Sequence, residues 1–202
     1  MKVNSILLIT FCLLQVLNCA TVGVNEQSLK NAATKTLKYS RMYHQDSIKL
    51  NDKDQFSELK FNYPSLTSDN IQFRFDEYDL LHIKFVNLKA SITGKNFIKF
   101  GFSGIITEFT AQLNYFNWEQ VFIVAKKDLG NGKLDIKFKS TEESAINFNV
   151  FRFTSNRNRF KDFKPIDLNI QSKIKTLDFT PVKTQLKKFA QLILETLQSD
   201  LK

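Results

Sequence analysis

Gly94–Phe116 reads GKNFIKFGFSGIITEFTAQLNYF. The stretch is extended in character and rich in Phe. It has no His or Cys and a single acid, Glu108. Ile98, Phe100, Phe102, Gly104 and Ile106 share one face of a strand, because side chains alternate with period two. The apolar parity then moves to Phe109, Ala111, Leu113 and Tyr115, while Lys99, Gly101 and Ser103 take the other face. A change of parity needs one extra residue, which a β-bulge supplies, and bulges bend strands.

The same feature recurs upstream. Leu81–Thr93 alternates through Leu81, Ile83 and Phe85, then switches to Leu88, Ala90 and Ile92, which places a bulge near Val86–Asn87. Further strands are expected at Glu58–Tyr63, Asn70–Tyr78, Val121–Ala125, around Leu134, Ile136 and Phe138, and at Ala145–Phe153. Asp128–Lys133, DLGNGK, is a turn signal of the Asn-Gly type.

Helices are expected at both ends. Val24–Tyr43 carries a small-residue face of Leu29, Ala32, Ala33, Thr36, Leu37 and Ser40 at helical spacing. After Thr180-Pro181, the residues Val182, Leu186, Phe189, Ala190, Ile193, Leu194 and Leu197 form one apolar stripe. Pro165–Lys175 reads as a shorter helix. The order helix, long antiparallel strands, helix is an α+β domain in which amphipathic helices cover one face of a bent sheet.

Met1–Ala20 has the order of a secretory signal peptide: Lys2, an apolar run from Ile6 to Leu17, then Asn18–Ala20. The run is shorter than the ~20 residues a membrane span needs. Residues 21–202 then form one domain, and loss of Lys2 takes the net charge from +9 to +8. Both cysteines, Cys12 and Cys19, lie in the leader, so the exported chain has no disulfide or thiol. A secreted, extracellular protein (or one of the secretory lumen) is the expectation.

Enzyme signatures are missing. There is no H-E-x-x-H, G-x-S-x-G, phosphate loop or G-x-G-x-x-G. His44 and His82 are the only histidines, and His82 falls on the polar side of a strand. Two His without Cys do not suffice for a dedicated zinc site, so neither cofactor nor metal is expected. Glu142-Glu143 reads as part of a solvated turn. The expectation is a binding protein, not an enzyme; the alternatives are a structural or receptor-binding domain and a hydrolase with an unrecognised site.

What is abundant is Phe, 19 of them after the leader. They fit two readings: an ordinary core, or a cavity kept filled by an apolar ligand. VNEQSLKNA, LHIKFVNLKASITGK and FIKFGFSGIITEFTAQL, in this order and spacing, resemble the N-terminal half of the bactericidal/permeability-increasing and lipopolysaccharide-binding protein family. Its wider group is the tubular lipid-binding (TULIP) fold. The match runs from Val24 to about Leu197.

The resemblance implies a long helix cradled in a highly curved antiparallel sheet, a second amphipathic helix, and an apolar tunnel for acyl chains. On that basis Ile83, Phe85, Leu88, Ala90, Ile92, Phe100, Phe102, Ile106, Leu113, Ile123, Phe148 and Val150 line the tunnel, with Leu186, Phe189 and Ile193 from the helix. It further implies a role in lipid carriage or in host defence against lipopolysaccharide-bearing microbes. The chain departs from the family in lacking its disulfide and in keeping only Lys95 and Lys99 near the Gly94 hairpin.

Phe151–Lys164, FRFTSNRNRFKDFK, holds Arg152, Arg157, Arg159, Lys161 and Lys164 against Asp162. Cations interleaved with Phe suit an anionic membrane surface, and they equally suit a solvated loop. Export argues against nucleic acid. The expected partners are a lipid or other apolar small molecule and an anionic membrane surface, the latter met by these five cations with Lys95 and Lys99.

Overall fold

A computed structural model describes residues 23–39, 47–50, 56–62, 66–100, 102–130, 133–156 and 164–201, without the side chains of 98–100, 103 and 165. The leader expected at residues 1–20 lies outside them. Two strands dominate: β4 (Leu81–Phe100) and β5 (Ser103–Gly130), joined through residues 101–102. Short strands flank this hairpin: β1 (Ser47–Lys49), β2 (Phe56–Asn62), β3 (Ile71–Phe75), β6 (Lys133–Glu143) and β7 (Asn147–Ser155). Near the turn, β2 pairs with β4 and β7 with β5; at the far end the partners are β3 and β6.

The seven strands form one sheet with antiparallel pairing throughout. Helix α1 (Glu26–Tyr39) and the long α3 (Thr180–Asp200) pack together, with α2 (Lys164–Ile174) leading into α3. The expected α+β architecture, a long helix against a bent antiparallel sheet with a second amphipathic helix, is the one observed.

The bend comes from paired bulges. Phe85 faces Trp118 and Ala90 faces Leu113, the same pairing offset on both sides, with an extra residue on each strand between them. Asn87 and Tyr115 mark these insertions, with φ of 51° and 52°. Asn tolerates that left-handed conformation, whereas a bulky Tyr is strained there by about 1–2 kcal/mol. The expected bulge at Val86–Asn87 is therefore present. Its counterpart lies at Tyr115, not between Ile106 and Phe109, where pairing with β4 runs without interruption.

Each bulge flips the inward face. Leu81, Ile83 and Phe85 point inward before Asn87, and Leu88, Ala90 and Ile92 after it. On β5, Thr107, Phe109, Ala111 and Leu113 point inward before Tyr115, and Phe116, Trp118, Gln120 and Phe122 after it. Both halves of the bent hairpin thus offer an apolar face to the helices.

All seven expected stripe residues of α3 are buried on that face. Phe189 meets Phe85 with ring centroids 6.2 Å apart, and Phe85 stacks on Trp118 at 5.9 Å. Phe179 just before α3 meets Phe148 at 5.2 Å and Phe61 at 6.3 Å. The small face of α1 buries Leu29, Ala32, Ala33 and Thr36. Small side chains let α1 approach α3 closely enough for Thr36 Oγ1 and Thr196 Oγ1 to lie 3.0 Å apart, and Lys35 reaches Asp200 at 2.8 Å. No described helix is long and apolar enough to cross a membrane.

Candidate functional site: a groove at the bend of the sheet

Where the bulges meet, the sheet opens into a groove of about 750 Å³. β7 contributes a third irregularity: Gln112 faces Arg152 but Leu113 faces Val150, so Phe151 is an extra residue. Leu88, Ala90 and Leu113 border the groove at its base with their side chains buried in the core, and its exposed apolar surface comes from Tyr115 and Phe151, 61% and 60% exposed. Such large exposed rings on adjacent strands are costly to leave in water.

The polar lining is nearly neutral. Asn62, Asn87, Ser91, Gln112 and Asn114 contribute amides and a hydroxyl, Lys89 a cation, and no acid takes part. Asn62 Nδ2 donates to Thr93 Oγ1 at 3.2 Å, and Asn117 Oδ1 accepts from the backbone N–H of Asn87 at 3.0 Å. Asn114 Oδ1 is buried and accepts no hydrogen bond from the described residues. An apolar cleft of this size with a few polar groups has the character of a small-molecule site.

The sequence-derived tunnel residues separate into groups. Ile83, Phe85, Ile92, Leu186, Phe189 and Ile193 are packed in the core, with Phe148 and Val150 against it. Leu88, Ala90 and Leu113 belong to the core and also line the groove. The Phe100 side chain lies outside the described atoms.

Phe102, Ile106 and Ile123 face solvent, which corrects the expectation that they face the interior. Phe102 sits in the turn, Ile106 follows the outward parity of an uninterrupted strand, and Ile123 is put outward by the Tyr115 bulge. Between α3 and the sheet the gap lined by Ile48, Phe61, Leu66, Leu88, Val182, Gln185, Leu186 and Phe189 is about 10 Å³. Side chains fill the place where the resemblance puts a tunnel.

Among the expected surface cations, Lys95 is engaged by Glu58 at 3.0 Å and lies 3.8 Å from Glu108. The hydrogen bond and charge of Glu58 hold its ammonium above the usual lysine range. Arg152 and Lys164 are exposed, while Arg157, Arg159 and Lys161 lie outside the described residues. Sequence reasoning missed Tyr115 and Phe151 as groove walls. The signal for the first was present: the alternation Phe116, Trp118, Gln120, Phe122 is out of step with Ala111 and Leu113.

A second polar cluster surrounds His82. Its Nδ1 lies 2.6 Å from Glu119 Oε1 and its Nε2 3.0 Å from Asp76 Oδ2. The ring thus lies between two carboxylates. The hydrogen bond from His82 holds the Asp76 carboxyl below the ordinary aspartate value of 3.8. A depressed acid contributes stability above its unfolded pKa, and that contribution is lost as pH falls through the lower folded value. Urea unfolding between about pH 5 and pH 2 should show a shallower acid loss in His82→Ala than in the parent. Equal slopes would mean that Asp76 is not held by His82. Among the described residues, no group of three or more His, Cys, Asp and Glu is placed to hold a metal ion.

No family model matches the sequence, and no curated protein matches it. Among solved structures the chain is similar to the crystal structure of Takeout 1 from Epiphyas postvittana. The two share 13% sequence identity over 87% of this chain and 89% of that chain, with a TM-score of 0.37. At that identity and score the likeness carries no argument about function, and the functional reading rests on the groove itself.

Proposed function

We propose that this protein is a binder of an amphipathic lipid, held in the groove at the bend of the sheet, and that it acts as a carrier without making or breaking bonds. The observation that carries this reading is the 750 Å³ groove flanked by the two exposed rings of Tyr115 and Phe151. The ligand's hydrocarbon portion lies against the rings of Tyr115 and Phe151, where exclusion of water supplies the affinity. Its polar end carries a hydroxyl or carboxyl group that meets Lys89 and the amides of the lining. The strained Tyr115 supports the choice of site, since unfavourable backbone is retained where a side chain has a task.

The resemblance stated above supports the ligand class, and the Met1–Ala20 sequence supports export. Recognition of lipopolysaccharide, with a host-defence role, is the narrower form of the same proposal.

Displacement of a fluorescent fatty-acid probe from the whole protein tests it. Phe151→Ser should weaken probe binding roughly tenfold or more, given about 1.5–3 kcal/mol for burying such a ring. Tyr115→Gly should weaken it similarly while leaving stability unchanged or raised by up to about 1 kcal/mol, because Gly accepts the positive φ. Unaltered probe affinity in both variants would remove the groove as the site.

A further inference from the structure

The groove has a neighbour on the outer face of the sheet. There, side chains from four strands stand in register. Asn62, Ser91, Gln112 and Arg152 form one row, and Lys60, Thr93, Thr110 and Thr154 form the next. The row between them, Phe61, Ile92, Ala111 and Phe153, packs in or against the core, so both polar rows face away from it. Asn62, Ser91 and Gln112 belong to the groove. Lys60, Thr93 and Thr110 line a shallow depression of about 250 Å³, closed on the far side by Glu58, Lys95 and Glu108. The two polar rows are two residues apart along each strand, about 7 Å, so the hollows adjoin.

A bulge aims an acid into this depression. Between Ser57↔Lys95 and Lys60↔Thr93, β2 carries one extra residue. Leu59 takes the inner place against Gly94, where an added Cβ would come within 2.7 Å of Leu59 Cδ2. Glu58 is left outside with a φ of 55°, a left-handed conformation that costs energy in a residue with a Cβ. Its carboxylate lies 3.0 Å from the Lys95 ammonium, and that of Glu108 lies 3.8 Å from it. Both carboxylates remain well exposed, at 62% and 63%.

These groups discriminate between head groups. Carboxylates accept, ammonium groups donate, and hydroxyls and amides do both. A phosphate placed here faces Glu58 and Glu108, while Lys95 is already engaged by them. An ether chain offers no donor to the two acids. A sugar hydroxyl donates to one neighbour, accepts from another and carries no charge.

We propose that the depression receives an uncharged sugar, the head group of the lipid whose chain lies in the adjoining groove, so that the ligand is a neutral glycolipid. The inference rests on the groove reading for the chain and adds the chemistry of the head group.

The test is displacement of the fluorescent fatty-acid probe from the whole protein by three decyl compounds, each below the concentration at which it forms micelles. Decyl maltoside should displace the probe at a concentration roughly tenfold or more below that of decyl tetraethylene glycol ether, which has the same chain and an uncharged head with a single hydroxyl. Decyl phosphate should also compete less well than the maltoside. Thr93→Val with Thr110→Val keeps β-branched residues on the strands. It should remove most of the maltoside's advantage while leaving the melting temperature and the probe affinity unchanged. Glu58→Gln with Glu108→Gln should weaken the maltoside and strengthen decyl phosphate, a change of opposite sign that a loss of packing does not produce.

Equal displacement by the maltoside and the ether overturns the inference and leaves the groove reading standing. So does a maltoside advantage that survives the two Val substitutions. Stronger competition by decyl phosphate in the parent also overturns it, and gives the depression to an anionic head group. A fatty-acid probe that does not bind the parent removes the groove reading itself, and the sugar with it.

Discussion

Deleting Asn87 alone should abolish cooperative folding. The residue adds nothing to the core; its function is to count. Without it, Leu81, Ile83 and Phe85, each wholly buried, move to the outer face, and His82 and Lys84 move inward. At about 1.5–3 kcal/mol for each apolar side chain, the loss is roughly 5–9 kcal/mol, most of the ~5–15 kcal/mol that holds a domain together. Burying the polar residues adds to it.

Asn87→Gly keeps the count and accepts the φ of 51°, so its stability should lie within about 1 kcal/mol of the parent. Thermal unfolding followed by circular dichroism compares the two. A deletion variant that melts near the parent temperature would show that the register is absorbed elsewhere, and the paired-bulge account of the bend would fail.

The same counting explains what the sequence made legible. The α3 stripe could be read residue by residue, because a 3.6-residue period with seven large apolar members has one solution. The Asn87 bulge was legible for a similar reason: clean alternation in Leu81–Phe85 resumes in Leu88–Ile92 out of step.

The downstream half was ambiguous. In Gly94–Tyr115 both faces carry apolar residues, since Phe97 and Ile106 on one side are matched by Ile105 on the other. Parity there has no contrast to follow: the apolar pattern puts the bulge at Ile106–Phe109, whereas it lies at Tyr115. That misplacement sent Ile106 and Ile123 to the interior.

The groove was illegible for another reason. It exists only where three irregular positions from β4, β5 and β7 meet, and Phe151 joins Tyr115 through pairing that one strand's sequence does not encode. Its floor was still half-anticipated, because Leu88, Ala90 and Leu113 are the inward residues next to the bulges.

Phe189→Ala should cost about 3–5 kcal/mol, the range for removing a buried aromatic ring, measured as the change in urea unfolding free energy. Phe189 is fully buried on α3 and borders the 10 Å³ gap between helix and sheet. Its removal opens an apolar cavity in the region where the family resemblance puts a tunnel. Such cavities stay dry and accept small apolar molecules. Benzene should therefore stabilise Phe189→Ala, by up to about 2.7 kcal/mol at a hundredfold excess over its dissociation constant, and leave the parent unchanged. The fatty-acid probe should bind both proteins alike, since the groove does not include Phe189. A loss below about 1 kcal/mol, or stabilisation of the parent itself by benzene, would mean that α3 is held more loosely than its packing implies. The interior would then accept a hydrocarbon chain without any substitution, and the lipid site would move from the bend of the sheet to the space beneath the helix.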